Sequence, residues 1–340
     1  MKYIDIRSDT VTKPSRKMLE AILDAEFGDD VYGEDPTVNK LQEKCAELTG
    51  KEKALFVSSG CMANQLAVKS HTNQGNEVIV ERECHILNYE TAAAPIISNV
   101  QIYPIEGING VMSPEDVKNA IRPLEYSFPE TKLICIENTH NRAGGTIQPI
   151  ENIREISKLA HENGIKVHMD GARIFNASVE TGIKVREYAS LVDSISFCFS
   201  KGLGAPVGSV LCGSSEFIET AHRWRKIIGG GMRQVGVVAA AALYALENNV
   251  ERLKEDHAKA KYFANELNKI DGIEVDMDTV QTNIVIFWTD KYQKPEFINL
   301  LKEKGVLISS GSYQKLRAVF HLDVQQDEVA GAVDIIRKLF

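Results

Sequence analysis

Between Lys51 and Cys212 the chain alternates short apolar runs with helical stretches, and no other feature constrains its fold as strongly. The runs predicted as strands are Ala54–Val57, Glu77–Val80, Val100–Pro104, Lys132–Glu137, Ile165–Asp170, Ser194–Phe199 and Val207–Cys212. A strand with one wet face alternates apolar and polar residues. Most of these runs are continuously apolar, which requires cover on both faces. The helices between them include Met62–Ser70 and Ile150–Asn163, the second closed by Gly164. Such alternation builds a mainly parallel, doubly covered sheet. In these sheets ligands collect beyond the carboxyl ends of the strands. Ser58, Ser59, Gly60, Glu137, His140, Asp170 and Lys201 all fall at or just past such ends.

A chain of 340 residues is long for one core. After the sheet region comes a helical stretch from about Arg233 to Lys269, containing the alanine-rich run Val237–Leu246, a small-residue packing face expected to meet a second copy of the chain. Shorter strands and helices follow Asp271-Gly272. This predicts a large α/β domain over 26–250, with a mainly parallel seven-stranded sheet, and a smaller α+β domain over 251–340. Residues 1–25 are expected to pack on the small domain or at an interface, since the polar residues of Arg7–Thr10 have no obvious partner in a single chain. Hydrophobic residues make up 44% and charged residues 25%, and the net charge of −8 comes without a basic cluster. Nucleic acid and anionic membrane surfaces are therefore not expected as partners. The segment Met1–Arg7 has no apolar signal core, and the six cysteines form no CxxC pair. The expectation is a cytoplasmic protein with reduced thiols and no metal site.

The run Ser196-Phe197-Cys198-Phe199-Ser200-Lys201-Gly202-Leu203-Gly204-Ala205-Pro206 delivers a lysine at the end of a buried strand among small residues. A desolvated amine of this kind is suited to attack on an aldehyde. Thirty-one residues upstream, Asp170 ends another apolar strand. Together they are the pair that pyridoxal phosphate chemistry needs: the lysine holds the aldehyde carbon, and the carboxylate keeps the pyridine nitrogen protonated.

Other candidates surround this pair. Ser58-Ser59-Gly60-Cys61 follows a strand and opens a helix, an anion seat suited to a phosphate. Neither GxGxxG nor GxxxxGK[ST] occurs, which counts against dinucleotide and P-loop readings. His85 could stack on a pyridine ring, and His140, in a glycine-rich strand-end loop, is an acid/base candidate. Arg7, Arg173 and Arg317 are candidates to clamp a carboxylate.

These residues sit in stretches that resemble the low-specificity L-threonine aldolases, pyridoxal phosphate enzymes of the aspartate aminotransferase-like fold, called fold type I. The stretches are Arg7–Thr12, Asp30–Pro36, Ser59-Gly60, Glu137–Asn141, His168–Arg173 and Ser200–Ser209, and the likeness covers nearly the whole chain. The resemblance implies that Lys201 attaches the cofactor, Asp170 pairs with the ring nitrogen and His85 stacks on the ring. By the same resemblance Ser59, Gly60 and Cys61 hold the phosphate, although Cys61 stands where threonine is common. Arg173 would touch the ring oxygen or the substrate carboxylate, Ser8 and Arg317 would bind that carboxylate, and His140 would contact the β-hydroxyl. Tyr32 and Arg233 would reach a neighbouring subunit's site in a homo-oligomer, a dimer of dimers. The implied reaction is cleavage of L-threonine or L-allo-threonine to glycine and acetaldehyde. The group that takes the hydroxyl proton stays open among His140, His85 and a bound water. Two rival readings remain: a β-eliminating lyase or racemase using the same cofactor, and a nucleotide-binding or interaction module in which Lys201 is structural.

Overall fold

The computed structural model describes residues 3–340; Met1 and Lys2, the start of the expected N-terminal segment, lie outside the described residues. The strands are β1 (Ile4–Asp5), β2 (Lys53–Val57), β3 (Glu77–Glu81), β4 (Gln101–Ile105), β5 (Thr131–Glu137), β6 (Lys166–Asp170), β7 (Ser194–Cys198), β8 (Ser209–Gly213), β9 (Glu274–Val275), β10 (Ile284–Trp288), β11 (Val306–Leu307), β12 (Ser309–Ser310) and β13 (Leu316–Val319). Seven of them form one sheet in the order β2-β8-β7-β6-β5-β3-β4. Only β8 runs antiparallel to its neighbours β2 and β7. Every residue of β3, β7 and β8 is buried, including Glu77 and Glu81 at the ends of β3 and Ser194 and Ser196 in β7, so the sheet is covered on both faces. The last predicted strand begins two residues later than expected. Gly208 has a φ of 111°, and a Cβ there would fall 2.6 Å from the Phe56 ring, so the chain turns at Gly208 and pairs from Ser209.

The helical stretch after the sheet is two helices, Gly236–Asn248 and Leu253–Leu267. The alanine face of the first (Ala239 to Ala242, with Ala245) is buried inside this chain, against the helices Arg16–Leu23 and Pro36–Thr49. Small side chains let these backbones approach closely. The expectation that this face meets a second copy is therefore corrected.

A separate core fills the smaller body. Phe263, Phe287, Phe297 and Phe320 are fully buried there behind the antiparallel sheet β12-β13-β10-β9, with Phe263 and Phe320 centred 5.1 Å apart. Each such side chain contributes about 1.5–3 kcal/mol by leaving water. The N-terminal segment touches both bodies. β1 pairs in parallel with β11, Ile6 enters the small core, and Arg16–Leu23 packs on Gly236–Asn248. Residues 7–12 cross between them, directly over the carboxyl ends of β6 and β7.

Candidate active site

Parallel register brings the key strand ends side by side. Glu137, the last residue of β5, is level with Asp170, the last of β6, and Asp170 is level with Ser196 on β7. The chain leaves β7 through Phe199 and turns at Lys201, whose carbonyl accepts from Gly204 N at 2.8 Å and Thr12 Oγ1 at 3.2 Å. Lys201 lines a cavity of about 210 Å³ together with Ser8, Thr10, His85, Tyr89, Asn141, Arg142, Arg173 and Arg317. A narrow crevice continues from Lys201 to Gly60, Asn64 and Asp170.

The Asp170 carboxylate is fixed from two sides, by Asn64 Nδ2 at 2.7 Å and by the Ala172 N–H at 3.0 Å. Burial alone would push its pKa up. His85 and Lys201, with the Asn64 hydrogen bond, outweigh that and hold it below the ordinary carboxylate value, so Asp170 stays charged. Asn64 is itself satisfied: its Oδ1 accepts from Ser196 Oγ at 3.1 Å, and its Nδ2 also donates to Glu90 at 2.8 Å.

Glu90 is the hub of the opposite wall. It receives Gln65 Nε2 at 2.5 Å and meets His85 Nδ1 at 2.8 Å. The backbone N–H of His85 donates to Glu137 Oε2 at 2.7 Å, and Asn141 N donates to Glu137 Oε1 at 2.8 Å. One buried carboxylate thus ties down two loops of the cavity. Burial would lower the His85 pKa, but the Glu90 hydrogen bond and the Asp170 charge prevail and raise it above the ordinary histidine value.

The helix Gly60–His71 points its N-terminus at this crevice. Ser59 caps it by accepting from Met62 N at 3.2 Å, and the first-turn N–H groups have no partner within the helix. A Cβ on Gly60 would fall 2.9 Å from Cys198 Sγ. The Cys61 thiol is pushed up to about 11 by burial and by Glu90 and Asp170, so it stays neutral beside this positive helix end. Cys61, His85 and Glu90 offer ligand atoms within 4.8 Å of one another, and of the three His85 lines the crevice.

The arginines divide. Arg173 is spent on Asp9, with Nε–Oδ2 at 2.7 Å and Nη2–Oδ1 at 2.6 Å. This buried pair corrects the expectation that Arg7–Thr10 lacks partners in one chain. Arg317, on β13, is different. Its Nε is buried with no hydrogen-bond partner among the described residues. Burial and the neighbouring Arg173 push its pKa down to about 10. A half-buried cation with a buried, unmet Nε donor beside Lys201 calls for an anionic ligand. Ser8, whose Oγ accepts from Thr10 N at 3.2 Å, lines the same cavity.

The remaining candidates lie elsewhere. Arg7 pairs with Asp5 at 2.6 Å. His140 is 0% exposed and does not line the Lys201 cavity; its Nε2 meets Glu81 at 2.8 Å and its Nδ1 accepts from Ala143 N at 3.3 Å. Tyr32 is 73% exposed, and the side chain of Arg233 is 57% exposed on Asp29. Within one chain neither reaches the cavity. Asn64, Glu90 and Asp9 were missed by sequence reasoning. The available signal was a polar residue on an otherwise apolar helix face in the case of Asn64.

These residues fit pyridoxal phosphate on their own chemistry. An amine faces a buried, ionised carboxylate across a crevice, an imidazole walls it, and a helix N-terminus with a serine cap supplies an anion seat.

Comparison with known proteins agrees. The family model described as beta-eliminating lyase matches residues 5–290. Low-specificity L-threonine aldolase 1 of Arabidopsis thaliana is 43% identical over 336 residues, covering 97% of this chain and 94% of the relative. The low specificity L-threonine aldolase of Escherichia coli K12 is 43% identical over 328 residues, covering 96% of each. Among solved structures, Leishmania major threonine aldolase superposes with a TM-score of 0.84 at 18% identity, covering 98% of this chain and 99% of that one. Sphingomonas wittichii serine palmitoyltransferase gives 0.77 at 20% identity, covering 99% and 86%. These likenesses establish fold type I, the pyridoxal-phosphate-enzyme architecture expected from the sequence. The chain belongs to the beta-eliminating lyase family and, within it, to the low-specificity L-threonine aldolases.

Proposed function

We propose that this protein is a pyridoxal-phosphate-dependent aldehyde-lyase that cleaves L-threonine or L-allo-threonine to glycine and acetaldehyde. The observation that carries the reading is Lys201 at the junction of a cavity lined by Arg317 and a crevice that ends at Asp170, in a chain 43% identical to enzymes of that name. Lys201 would hold the cofactor, Asp170 its ring nitrogen, His85 its ring face, and the Ser59-Gly60-Cys61 turn its phosphate. When bound, the cofactor supplies an aldehyde for the substrate amine and a ring that accepts the electron pair freed by Cα–Cβ cleavage.

The protein's own residues do the rest. Arg317, with Ser8 beside it, binds the substrate carboxylate and fixes the amino-acid end. Arg173, neutralised by Asp9, stiffens that wall. The β-hydroxyl proton passes to His85 Nε2; Glu90 holds Nδ1, so the other nitrogen is left to the cavity. Both nitrogens of His140 are engaged outside the cavity, which favours His85 over it. Asp170 stays ionised and holds the positive end of the electron sink.

The expected assay result is stoichiometric acetaldehyde and glycine from L-threonine. Pyruvate and ammonia from L-serine or a cysteine derivative, without aldehyde, would establish the lyase instead. Among the described residues no helix is long and apolar enough to cross a membrane. We further propose a cytoplasmic homo-oligomer, a tetramer built from dimers, acting in threonine catabolism and glycine supply.

A further inference from the structure

The first turn of the helix Gly60–His71 and the stretch that follows β3 bring three different ligand types together. Cys61 supplies a thiol, His85 an imidazole and Glu90 a carboxylate, all within 4.8 Å of one another. Among the described residues no other three His, Cys, Asp or Glu side chains meet in this way. His85 Nδ1 and Glu90 Oε1 are already 2.8 Å apart. Zinc holds sulfur at about 2.3 Å and nitrogen or oxygen at about 2.0–2.2 Å, so its ligand atoms stand roughly 3–4 Å from one another. A small opening of the His85–Glu90 contact and a small shift of Cys61 meet that spacing.

The surroundings support the carboxylate as a ligand. Gln65 Nε2 holds Glu90 Oε2 at 2.5 Å, and Asn64 Nδ2 holds Oε1 at 2.8 Å. Such outer donors fix a ligating group in place. The same Asn64 Nδ2 reaches Asp170 Oδ2 at 2.7 Å, so two buried carboxylates share one amide, an arrangement that draws a cation. Sulfur and imidazole nitrogen select a soft cation over calcium or magnesium, which take oxygen ligands. We propose that Cys61, His85 and Glu90 bind a soft divalent cation such as Zn²⁺ in the cofactor-free chain, and that cation and cofactor exclude one another. On binding, the thiol proton leaves to solvent, the sulfur and Nδ1 lone pairs go to the metal, and the ring stays neutral with its proton on Nε2. A water fills the fourth position. The ring that walls the crevice is then turned onto the cation, and its Nε2 accepts no proton. A threonine at position 61, common in the family, offers no thiolate. The exclusion rests on the cofactor reading above; the cation site does not.

The test uses the full chain freed of cofactor and titrated with Co²⁺, whose bond to a thiolate gives a charge-transfer band. The band saturates at one equivalent and is displaced by Zn²⁺. Cys61→Ser loses it and binds Zn²⁺ at least about a hundredfold more weakly, the upper end of what loss of an outer support costs, read by competition with a chromogenic chelator. His85→Ala weakens Zn²⁺ as much and carries the test if Cys61→Ser fails to fold. The holoenzyme gives no band. Zn²⁺ at about ten times its dissociation constant weakens pyridoxal phosphate binding about tenfold, as mutually exclusive ligands do by mass action, and Cys61→Ser removes that dependence. Undiminished Zn²⁺ affinity in a folded Cys61→Ser, or a wild-type chain without the band, overturns the site. A holoenzyme that binds Zn²⁺ as tightly as the cofactor-free chain overturns the exclusion. A chain that shows the band but takes up no pyridoxal phosphate overturns the cofactor reading and the exclusion with it, while the band upholds the site.

Discussion

The buried groups around Lys201 hold each other's charges, and that makes their individual roles separable. Asp170 stays ionised in a buried crevice because His85, Lys201 and Asn64 favour the anion. Asp170→Asn keeps the shape and the Asn64 contact but removes the charge. It should leave the cofactor bound, by absorbance, while kcat falls by the equivalent of about 3–4 kcal/mol, as for loss of one preorganised electrostatic partner; a near wild-type kcat would refute the role. Arg317 presents the opposite case, a half-buried cation whose buried Nε has no hydrogen-bond partner among the described residues. Arg317→Ala should raise KM for threonine by at least about tenfold. Arg317→Lys keeps the charge but not the fork and should raise it less. Equal small effects would mark Arg317 as a mere strand residue. The third case is His85, whose pKa lies above the ordinary histidine value because Glu90 and Asp170 outweigh burial. Proton removal needs the neutral ring, so kcat/KM should rise with pH on a limb displaced above that ordinary value. In Glu90→Gln the folded-state pKa drops and the limb moves to lower pH. A limb that stays put would show that another group takes the proton. Lys201 and Asp170 were legible in the sequence because each ends an apolar run. Asp9 was not, since its partner Arg173 lies 164 residues away and only the fold brings them together. His140 shared the strand-end signal, but the loop from Asn138 to Thr146 turns its ring toward Glu81, and no spacing rule gives that direction.

At the level of elements, the sheet was legible because strands covered on both faces carry an unbroken apolar signature, whereas the amphipathic helices of the surface only mark its layers. The expected strands differ from the observed ones by a residue or two, and the largest shift has a local cause in the Gly208 turn. The alanine-rich helix misled for an equally physical reason. A run of small apolar residues states that something packs closely against it and leaves the partner unnamed. Here the partners are Arg16–Leu23 and Pro36–Thr49 of the same chain. Ala241 is fully buried in that three-helix contact. Ala241→Leu should therefore destabilise by overpacking, by about 1–3 kcal/mol, read as a lower denaturation midpoint in urea. A subunit interface at this face would give a different result, a fall in oligomer mass at unchanged monomer stability.

For the whole molecule, two cores are joined by a segment that crosses the active cavity, and the outer face of the large body remains apolar in places. Leu19, Leu23, Phe27, Val31 and Tyr32 are exposed along the N-terminal helix and the loop after it, and Ile227 and Val237 are exposed nearby in the chain path that pairs with that loop. Large apolar groups gathered on one side are what an association surface presents, and the homo-oligomer proposed above would use this one. Tyr32 and Arg233 stand on it, and both lie outside the cavity of their own chain. An isologous dimer that buries this surface carries each pair toward the other subunit's site, which is where the family resemblance expects them. Interfaces of obligate dimers bury about 2,000 Å² or more, enough to cover these residues. The prediction is complementation. Lys201→Ala has no attachment point for the cofactor, and Arg233→Ala lacks its contribution to the neighbour, so each alone should be inactive. Co-expressed, they form hybrids in which one site combines an intact Lys201 with an intact Arg233 from the other subunit. At equal amounts and random pairing, about a quarter of all sites are then whole, and acetaldehyde release from threonine should recover to a comparable fraction of wild type. Activity that stays at the level of the separate variants, in a preparation shown by mass to contain hybrids, would place Arg233 outside the neighbouring site; a fully active monomer in light scattering would remove the shared site altogether.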